Sequence, residues 1–303
     1  MVQTSIISVN YNQSQATLEF LRSIKEHTVD NNIEIILVDN GSTQNHEEIF
    51  KKEYPTLNYI RSDKNLGFAG GNNLGIQKAK GDFLLFLNND TEVTEGFLDT
   101  LINEFDQNPN IGILSPLIIY YENKEKIQYA GFSSMNYITG RNKAIGNFET
   151  DIDQYKYNSH ETGFSHGAAM MCRKKDILDI GLMEENYFLY YEELDWCEKF
   201  KKAGKKIWFT GKAKIYHKES ISVGKESSLK IYFMYRNRML FIRKNTNFIN
   251  TLIFSIYFIC LACPKTIVNY FIIGKRNLIP CIIKAIIWNL TNHKNSTYLG
   301  YKA

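Results

Sequence analysis

Along the first 110 residues the apolar positions fall into blocks of two kinds. Short apolar runs of strand length occupy residues 4–9, 34–38, 57–60 and 83–87, and each is followed by a segment with helical character. Leu18, Leu21 and Ile24 recur at helical spacing after the first run, and a polar helix reaches about Tyr54 after the second. Residues 69–79 follow the third run, and Phe97, Leu101 and Phe105 follow the fourth. Four βα units of this kind predict an α/β fold with a parallel, doubly wound sheet and right-handed crossovers. Beyond Pro109 the pattern breaks into short strands and loops, with strands predicted over residues 111–119 and 163–172. The stretch 131–160, polar and rich in Asn, Tyr and Gly, predicts a long loop or hairpin over the site. A helix over 192–203 closed by Gly204 and a strand over 207–209 complete this half.

The last third has a different pattern. Residues 246–264 carry no charge, and no acid occurs from Phe248 to His293, while Lys265, Lys275, Arg276 and Lys284 punctuate the apolar sequence. Nineteen residues barely match the roughly 20 needed to span a bilayer. Asn247, Asn250, Thr251 and Ser255 inside the run favour helices lying in the interface of an anionic membrane. A helical cap on the core and a true span are the alternatives. The resulting division is 1–245, with halves 1–110 and 111–245, and a C-terminal segment 246–303.

Charge sharpens that division. The formal net charge of +4 splits into −13 for residues 1–200 and +17 for residues 201–303, where Glu219 and Glu226 are the only acids. The two parts therefore face different partners, and no feature points to nucleic acid. Cys172, Cys197, Cys260, Cys263 and Cys281 form no paired framework, and the start lacks the basic and long apolar regions of a signal peptide, so a reducing cytoplasm is expected. The Cys260–Cys263 pair lies in an apolar segment and is expected to pack rather than bind metal.

Candidate chemistry gathers at the predicted strand ends. The run at residues 83–87 ends in Asn88, Asn89 and Asp90, a carboxylate at the carboxyl edge of a sheet, where α/β folds bind ligands and a cation can meet a phosphate. The first strand ends in Asn10, Tyr11 and Asn12 and the second in Asp39, Asn40, Gly41 and Ser42, groups suited to a base and ribose, or alternatively to turns and caps. Asn65 opens a segment with Gly67, Gly70 and Gly71 before a helix, where backbone N–H groups can approach an anion. Neither the dinucleotide fingerprint nor a P-loop is present. Glu192, Glu193 and Asp195 open the next helix among aromatics that raise a carboxylate's proton affinity, although acids also stabilise a first turn. His217 ends a later short strand.

Taken in order, the motifs V-N-Y-N, V-D-N-G-S, N-L-G-F-A-G-G-N-N-L-G, L-N-N-D-T-E-V, G-A-A-M-M-C-R-K, Y-Y-E-E-L-D-W-C and Y-H-K-E-S resemble family 2 glycosyltransferases of GT-A fold, especially the rhamnosyltransferase-like branch that builds bacterial surface polysaccharides. The likeness covers residues 3–245. It implies that Asp90 is the second carboxylate of the family's Asp-x-Asp motif, with Asn88 in place of the first. Asp90 and His217 would then bind Mg²⁺ or Mn²⁺. Glu193 matches the catalytic base, with Glu192 and Asp195 as alternates. Asn10, Tyr11, Asn12, Asp39, Asn65, Gly67, Gly70, Gly71 and Asn88 would bind the donor, and His166, Gly167 and Trp196 the acceptor. The implied reaction inverts the anomeric centre of a dTDP- or UDP-sugar, rhamnose first, toward a glycan or lipid-linked acceptor. The enzyme would sit peripherally on the cytoplasmic face of the inner membrane. A sugar nucleotidyltransferase and a catalytically silent nucleotide-sugar-binding module are the rival readings. The first of these expects a basic Gly-rich loop after the first strand, where this chain has Asn-Tyr-Asn-Gln.

Overall fold

A computed structural model describes residues 3–28, 32–218 and 227–301. Glu219 and Ser220, which end the last motif, and Glu226 lie outside the described residues. Strands β1 (Thr4–Asn10), β2 (Ile33–Asn40), β3 (Asn58–Ser62) and β4 (Phe83–Leu87) lie parallel in the order β3-β2-β1-β4. They are connected through helices α1 (Ser14–His27), α2 (Glu47–Glu53) and α3 (Gly67–Lys78). Alternate residues of these strands enter separate cores. Ile6, Ile35, Leu37 and Leu85 pack with α1, α2 and α4 (Phe97–Gln107), while Ile7, Ile36, Val38, Leu84 and Phe86 pack with α3 and helices from the second half. Burial on both faces is why these strands read as unbroken apolar runs.

The second half extends this sheet rather than forming its own. Strand β6 (Ile111–Tyr120) and β9 (Ala169–Arg173) are the two predicted strands, the latter shorter than expected because residues 163–168 turn away from the ladder. β9 runs antiparallel to both β4 and β6, so the sheet is mixed at the point where the halves meet. Strand β10 (Lys206–His217) is parallel to β6 and joins what reads in sequence as two short strands, with a register shift between Thr210 and Lys214. Two unpredicted strands, β5 (Thr91–Val93) and β8 (Ser159–Glu161), pair antiparallel with β10, and β7 (Ile127–Tyr129) pairs with β6. The stretch 131–160 is largely loop, with isolated bridges such as Phe132 to Ala144. Helices α5 (Lys174–Ile180) and α6 (Glu192–Lys202) follow on the α3 side of the sheet.

The chain ends in α7 (Ser228–Asn245), α8 (Phe248–Tyr257), α9 (Cys263–Ile272) and α10 (Ile279–Thr291), with a π-helical turn, Phe258–Ala262, fusing α8 to α9. Phe254, Phe258, Cys263, Ile282 and Trp288 share one core with Met239, Leu240 and Ile242 of α7, so the boundary at residue 245 crosses a continuous apolar cluster. The continuous helix Phe248–Ile272 is, among the described residues, the one helix long and apolar enough to cross a membrane. Phe248, Ile249, Ile256, Leu261, Val268, Phe271 and Ile272 on it are exposed. Cys263 is buried and Cys260 exposed, and all five cysteines are free thiols.

The bulge in β10 is set by Gly211, where an added Cβ would fall 1.7 Å from the Tyr155 carbonyl oxygen. Gly211→Ala must push the 131–160 loop off the sheet, at a cost of about 1–3 kcal/mol. A lowered urea midpoint with an unchanged m-value is the expected result.

Candidate active site

The chain leaves β4 through Asn88, Asn89 and Asp90 and enters β5, which pairs with the far end of β10. The register sets Thr91 opposite His217, and Lys218 N–H donates to the Asp90 carbonyl at 3.0 Å. Asp90 and His217, 127 positions apart in sequence, thereby meet: Nε2 of His217 stands 3.2 Å from Oδ1 of Asp90. That Oδ1 is buried and has no hydrogen-bond partner. Nδ1 of His217 lies 2.9 Å from Oε1 of Gln128, so the ring is held between Gln128 and Asp90. Asp90 Oδ1 and His217 Nε2 are the groups at this strand edge that could hold a divalent cation. Among the described residues no group of three or more His, Cys, Asp or Glu side chains is arranged to hold a metal. Asn88 is part of the same corner, with Nδ2 3.4 Å from Nε2 of His217 and its backbone N–H bonded to Ala168 O at 3.0 Å.

From His217 the site continues through His166, whose ring centroid is 6.0 Å away and nearly perpendicular. Ala168 N–H donates to Nδ1 of His166, leaving Nε2 as the protonated nitrogen. Burial, reinforced by His217, pushes His166 down to about 3, so it stays neutral and can donate a hydrogen bond. Next to it, a Cβ on Gly167 would lie 3.7 Å from Cγ of Glu193 and 3.8 Å from the Phe68 ring. Gly167 thus sits between the second residue of α6 and helix α3, with both at ordinary contact distance from an added methyl.

The three acids of α6 stand in different environments. Burial pushes Glu193 up to about 7 against hydrogen bonds from backbone amides, yet its side chain is partly accessible. Glu192 is buried with Oε2 unpartnered, and burial together with the Glu193 charge pushes it well above the usual carboxyl range. Asp195 is also raised by burial, but its Oδ1 is occupied, accepting from Tyr187 Oη at 2.9 Å and Asn245 Nδ2 at 2.6 Å.

At the ends of β1 and β2, Asp39 is 1% exposed and ties Arg61, Tyr59 and the Ser42 backbone together. Asn10 is equally enclosed, with Oδ1 accepting from Gln13 N–H and Thr17 Oγ1 and Nδ2 donating to Ser42 Oγ. Asn12 adopts a positive φ of 55° and accepts from Thr43, while Tyr11 is exposed. Asn10, Asn12, Ser42, Thr43, Gln44 and His46 line a cavity of about 310 Å³ at this strand edge.

Three expectations need correction. Trp196 is not on a ligand surface: it is fully buried, edge-on to Phe86 and Phe200, with Nε1 donating to the Gly181 carbonyl. Gly70 and Gly71 are packing glycines, since a Cβ on them would strike Leu66 Cβ at 2.7 Å and Val9 Cγ1 at 2.8 Å. Gly67, with φ +74°, is required because a Cβ would lie 2.1 Å from the Phe188 carbonyl oxygen. Asn65 Oδ1 caps that turn by accepting from Gly67 N–H and from Asn40 Nδ2. Arg61 and Gln128 are contributors that the sequence did not single out. Asn40 sits inside a motif that it did single out, whereas Gln128 carried no local signal.

A mixed sheet with four parallel nucleotide-side strands, a carboxylate at the β4 exit and acids opening α6 defines a glycosyltransferase of GT-A fold. The chain belongs to glycosyl transferase family 2, whose model matches residues 5–178. It is a nucleotide-sugar-dependent glycosyltransferase. It is 28% identical over 241 residues to a low-salt glycan biosynthesis hexosyltransferase of Haloferax volcanii, covering 78% of this chain and 74% of that one. It is 22% identical over 255 residues to an N-acetylglucosaminyl-diphospho-decaprenol L-rhamnosyltransferase of Mycobacterium tuberculosis, covering 78% and 83%. Among solved structures, GalNAc-T7 with UDP, GalNAc and Mn²⁺ aligns with TM-score 0.62 at 18% identity over 80% of this chain, which spans about half (48%) of that protein. A mannosyltransferase of Pyrobaculum calidifontis with GDP-Man and Mn²⁺ aligns with TM-score 0.59 at 10% identity over 95% of this chain and 87% of that one.

Because Glu193 takes up its proton at higher pH when folded than its ordinary 4.5, its contribution to stability is fully present below about 4.5 and is lost as pH rises through about 7. Glu193→Gln should therefore melt higher than the wild type at pH 8 by a few degrees, at roughly 2–4 °C per kcal/mol. The two curves should coincide at pH 4.5, and a difference constant across that range would contradict the assignment.

Proposed function

We propose that the protein is an inverting, metal-dependent glycosyltransferase that moves a sugar, rhamnose as the first candidate, from a dTDP- or UDP-sugar to a lipid-linked or glycan acceptor. The observation that carries this reading is the buried, unpartnered Oδ1 of Asp90 facing His217, joined through His166 and Gly167 to the raised carboxyl of Glu193. Rhamnose and a lipid-linked acceptor are favoured by likeness to the mycobacterial rhamnosyltransferase, whose name includes both.

In this reading Asp90 and His217 would hold Mg²⁺ or Mn²⁺, which would supply positive charge against the departing diphosphate. Asn10, Tyr11, Asn12 and Asp39 frame the base and ribose, while Asn65 and Gly67 shape the adjoining wall. Glu193 takes the proton of the acceptor hydroxyl as that oxygen attacks the anomeric carbon from the face opposite the leaving group. The sugar–phosphate bond breaks as the new glycosidic bond forms, so one displacement inverts the centre and leaves no sugar on the enzyme. A base near pH 7 suits this task, because it is ionised often enough to act and basic enough to accept a proton. His166, neutral with Nε2–H as donor, orients the acceptor beside Gly167.

The acceptor side is read from the C-terminal helices. Their exposed apolar side chains and the exposed Lys265, Arg276 and Lys284 lie in a stretch free of acids, chemistry that fits the anionic surface of a membrane carrying a lipid-linked acceptor. This chemistry supports a peripheral position on the cytoplasmic face of the inner membrane.

Released nucleoside diphosphate, measured over a panel of nucleotide sugars with and without acceptor, tests the reaction. Glu193→Gln should lower kcat by about 10²–10⁴ with donor binding retained, and in the wild type kcat should rise with pH through about 7. Asp90→Asn should abolish the Mn²⁺-dependent rise in melting temperature seen with bound donor. Trapping of a sugar on any of these carboxylates would refute the single displacement.

For the membrane, the triple change Lys265→Glu, Arg276→Glu and Lys284→Glu should weaken sedimentation with anionic vesicles at least about a hundredfold, at about 1 kcal/mol per basic residue. Unchanged partitioning would make these helices a cap.

A further inference from the structure

The loop that leads into α6 is strained. Phe188, Tyr190 and Tyr191 all have positive φ, at 66°, 70° and 75°, and none is glycine. Each such residue costs of order 1–3 kcal/mol, so three within four positions persist only where surrounding structure holds them. The next two residues are Glu192 and Glu193, and on the other side the Phe188 carbonyl accepts from Phe68 N–H at 2.8 Å beside Gly67. One short loop therefore sets the position of the candidate base and also touches the donor-side turn.

What holds the loop comes from α7. Nδ2 of Asn237 lies 2.9 Å from the Tyr187 carbonyl oxygen, 2.8 Å from that of Leu189 and 2.8 Å from that of Tyr190. Its Oδ1 accepts from Nη1 of Arg236 at 2.7 Å. Arg236 donates through Nη2 to the Asn186 carbonyl at 2.8 Å. Both side chains are fully buried. No carboxylate is paired with Arg236 among the described residues; its guanidinium lies 3.9 Å over the Trp288 ring of α10 and its Nε is unpartnered. The Arg236 carbonyl in turn accepts from Asn289 of α10 at 2.9 Å. A buried cation without a counter-charge is expensive, and packing alone would be better served by an apolar side chain.

We propose that Asn237, buttressed by Arg236 and through it by Trp288 and Asn289, is a positioning residue that keeps the loop before α6 in its strained shape and so holds Glu193 against Gly167. The C-terminal helix thereby reaches the reacting groups without touching them. This inference rests on the role proposed for Glu193, and one of its tests does not.

Asn237→Ala should lower kcat by about ten- to a hundredfold with donor KM changed less than about threefold. The acid limb of its kcat profile should move to lower pH, because a released Glu193 gains water. Independently of turnover, amide hydrogen exchange over residues 186–193 should accelerate at least about tenfold, with β1 and β4 unchanged. Should Asn237→Ala fail to fold, Asn237→Ser, whose hydroxyl reaches one carbonyl instead of three, carries the same expectations. A variant with wild-type kcat, pH profile and loop exchange, whatever its melting temperature, would overturn the proposal. A wild type inert toward every nucleotide sugar, with the exchange result still as expected, would instead remove the functional reading and leave the clamp.

Discussion

The candidate site depends on the antiparallel pairing of a three-residue strand, β5, with the end of β10. Because Thr91 lies opposite His217, Asp90 is carried across the sheet from β4 to the histidine. A slip of one residue would turn every side chain of β5 to the other face. Several contacts oppose that slip: Val93 N–H donates to Ser23 Oγ, Thr94 Oγ1 to the Lys214 carbonyl, and Thr91 Oγ1 to the Asn88 carbonyl. Thr91 and Val93 are buried as well, so apolar packing and hydrogen bonds specify the same register.

Much of the first half was legible because a strand buried on both faces is a short apolar run. Residues 83–87 coincide with β4, and the other three parallel strands lie within a few residues of the expected runs. The second half was harder for specific reasons. Gly211, Lys212 and Lys214 interrupt the β10 pattern, so one bulged strand reads as two. β5 has three residues, too few for any periodicity to register. Trp196 beside three acids resembles a site wall, but it shares a helix face with Phe200 four positions on, and that face is core. Asp90, Glu193 and His217 stand in motifs that the sequence singles out as candidate chemistry. Gln128 and Asn237 do not, because their hydrogen-bond partners lie 47 to 89 positions away and no local pattern announces them.

Energetically the region around α6 is costly. Glu192 and Glu193 are adjacent acids desolvated together, and Arg236 is a buried cation solvated by carbonyls and an aromatic ring. Sites that run acid–base chemistry near neutral pH concentrate such groups, and the stability they forgo must come from elsewhere. Here the large apolar cores on both faces of the sheet supply it, with Phe86, Trp196 and Phe200 packed edge to face directly behind the acids.

The apolar cluster running from α7 into α8 and α10 bears on how such a chain can be rebuilt. An anchor joined by a flexible tether can be exchanged between relatives by recombination at the tether. Here Met239, Leu240 and Ile242 interlock with Phe254, Phe258 and Ile282, so a crossover at the end of α7 would separate residues that fit one another. Chimeras that respect this jigsaw must exchange α7 together with everything after it, and so inherit the donor parent's grip on the loop before α6.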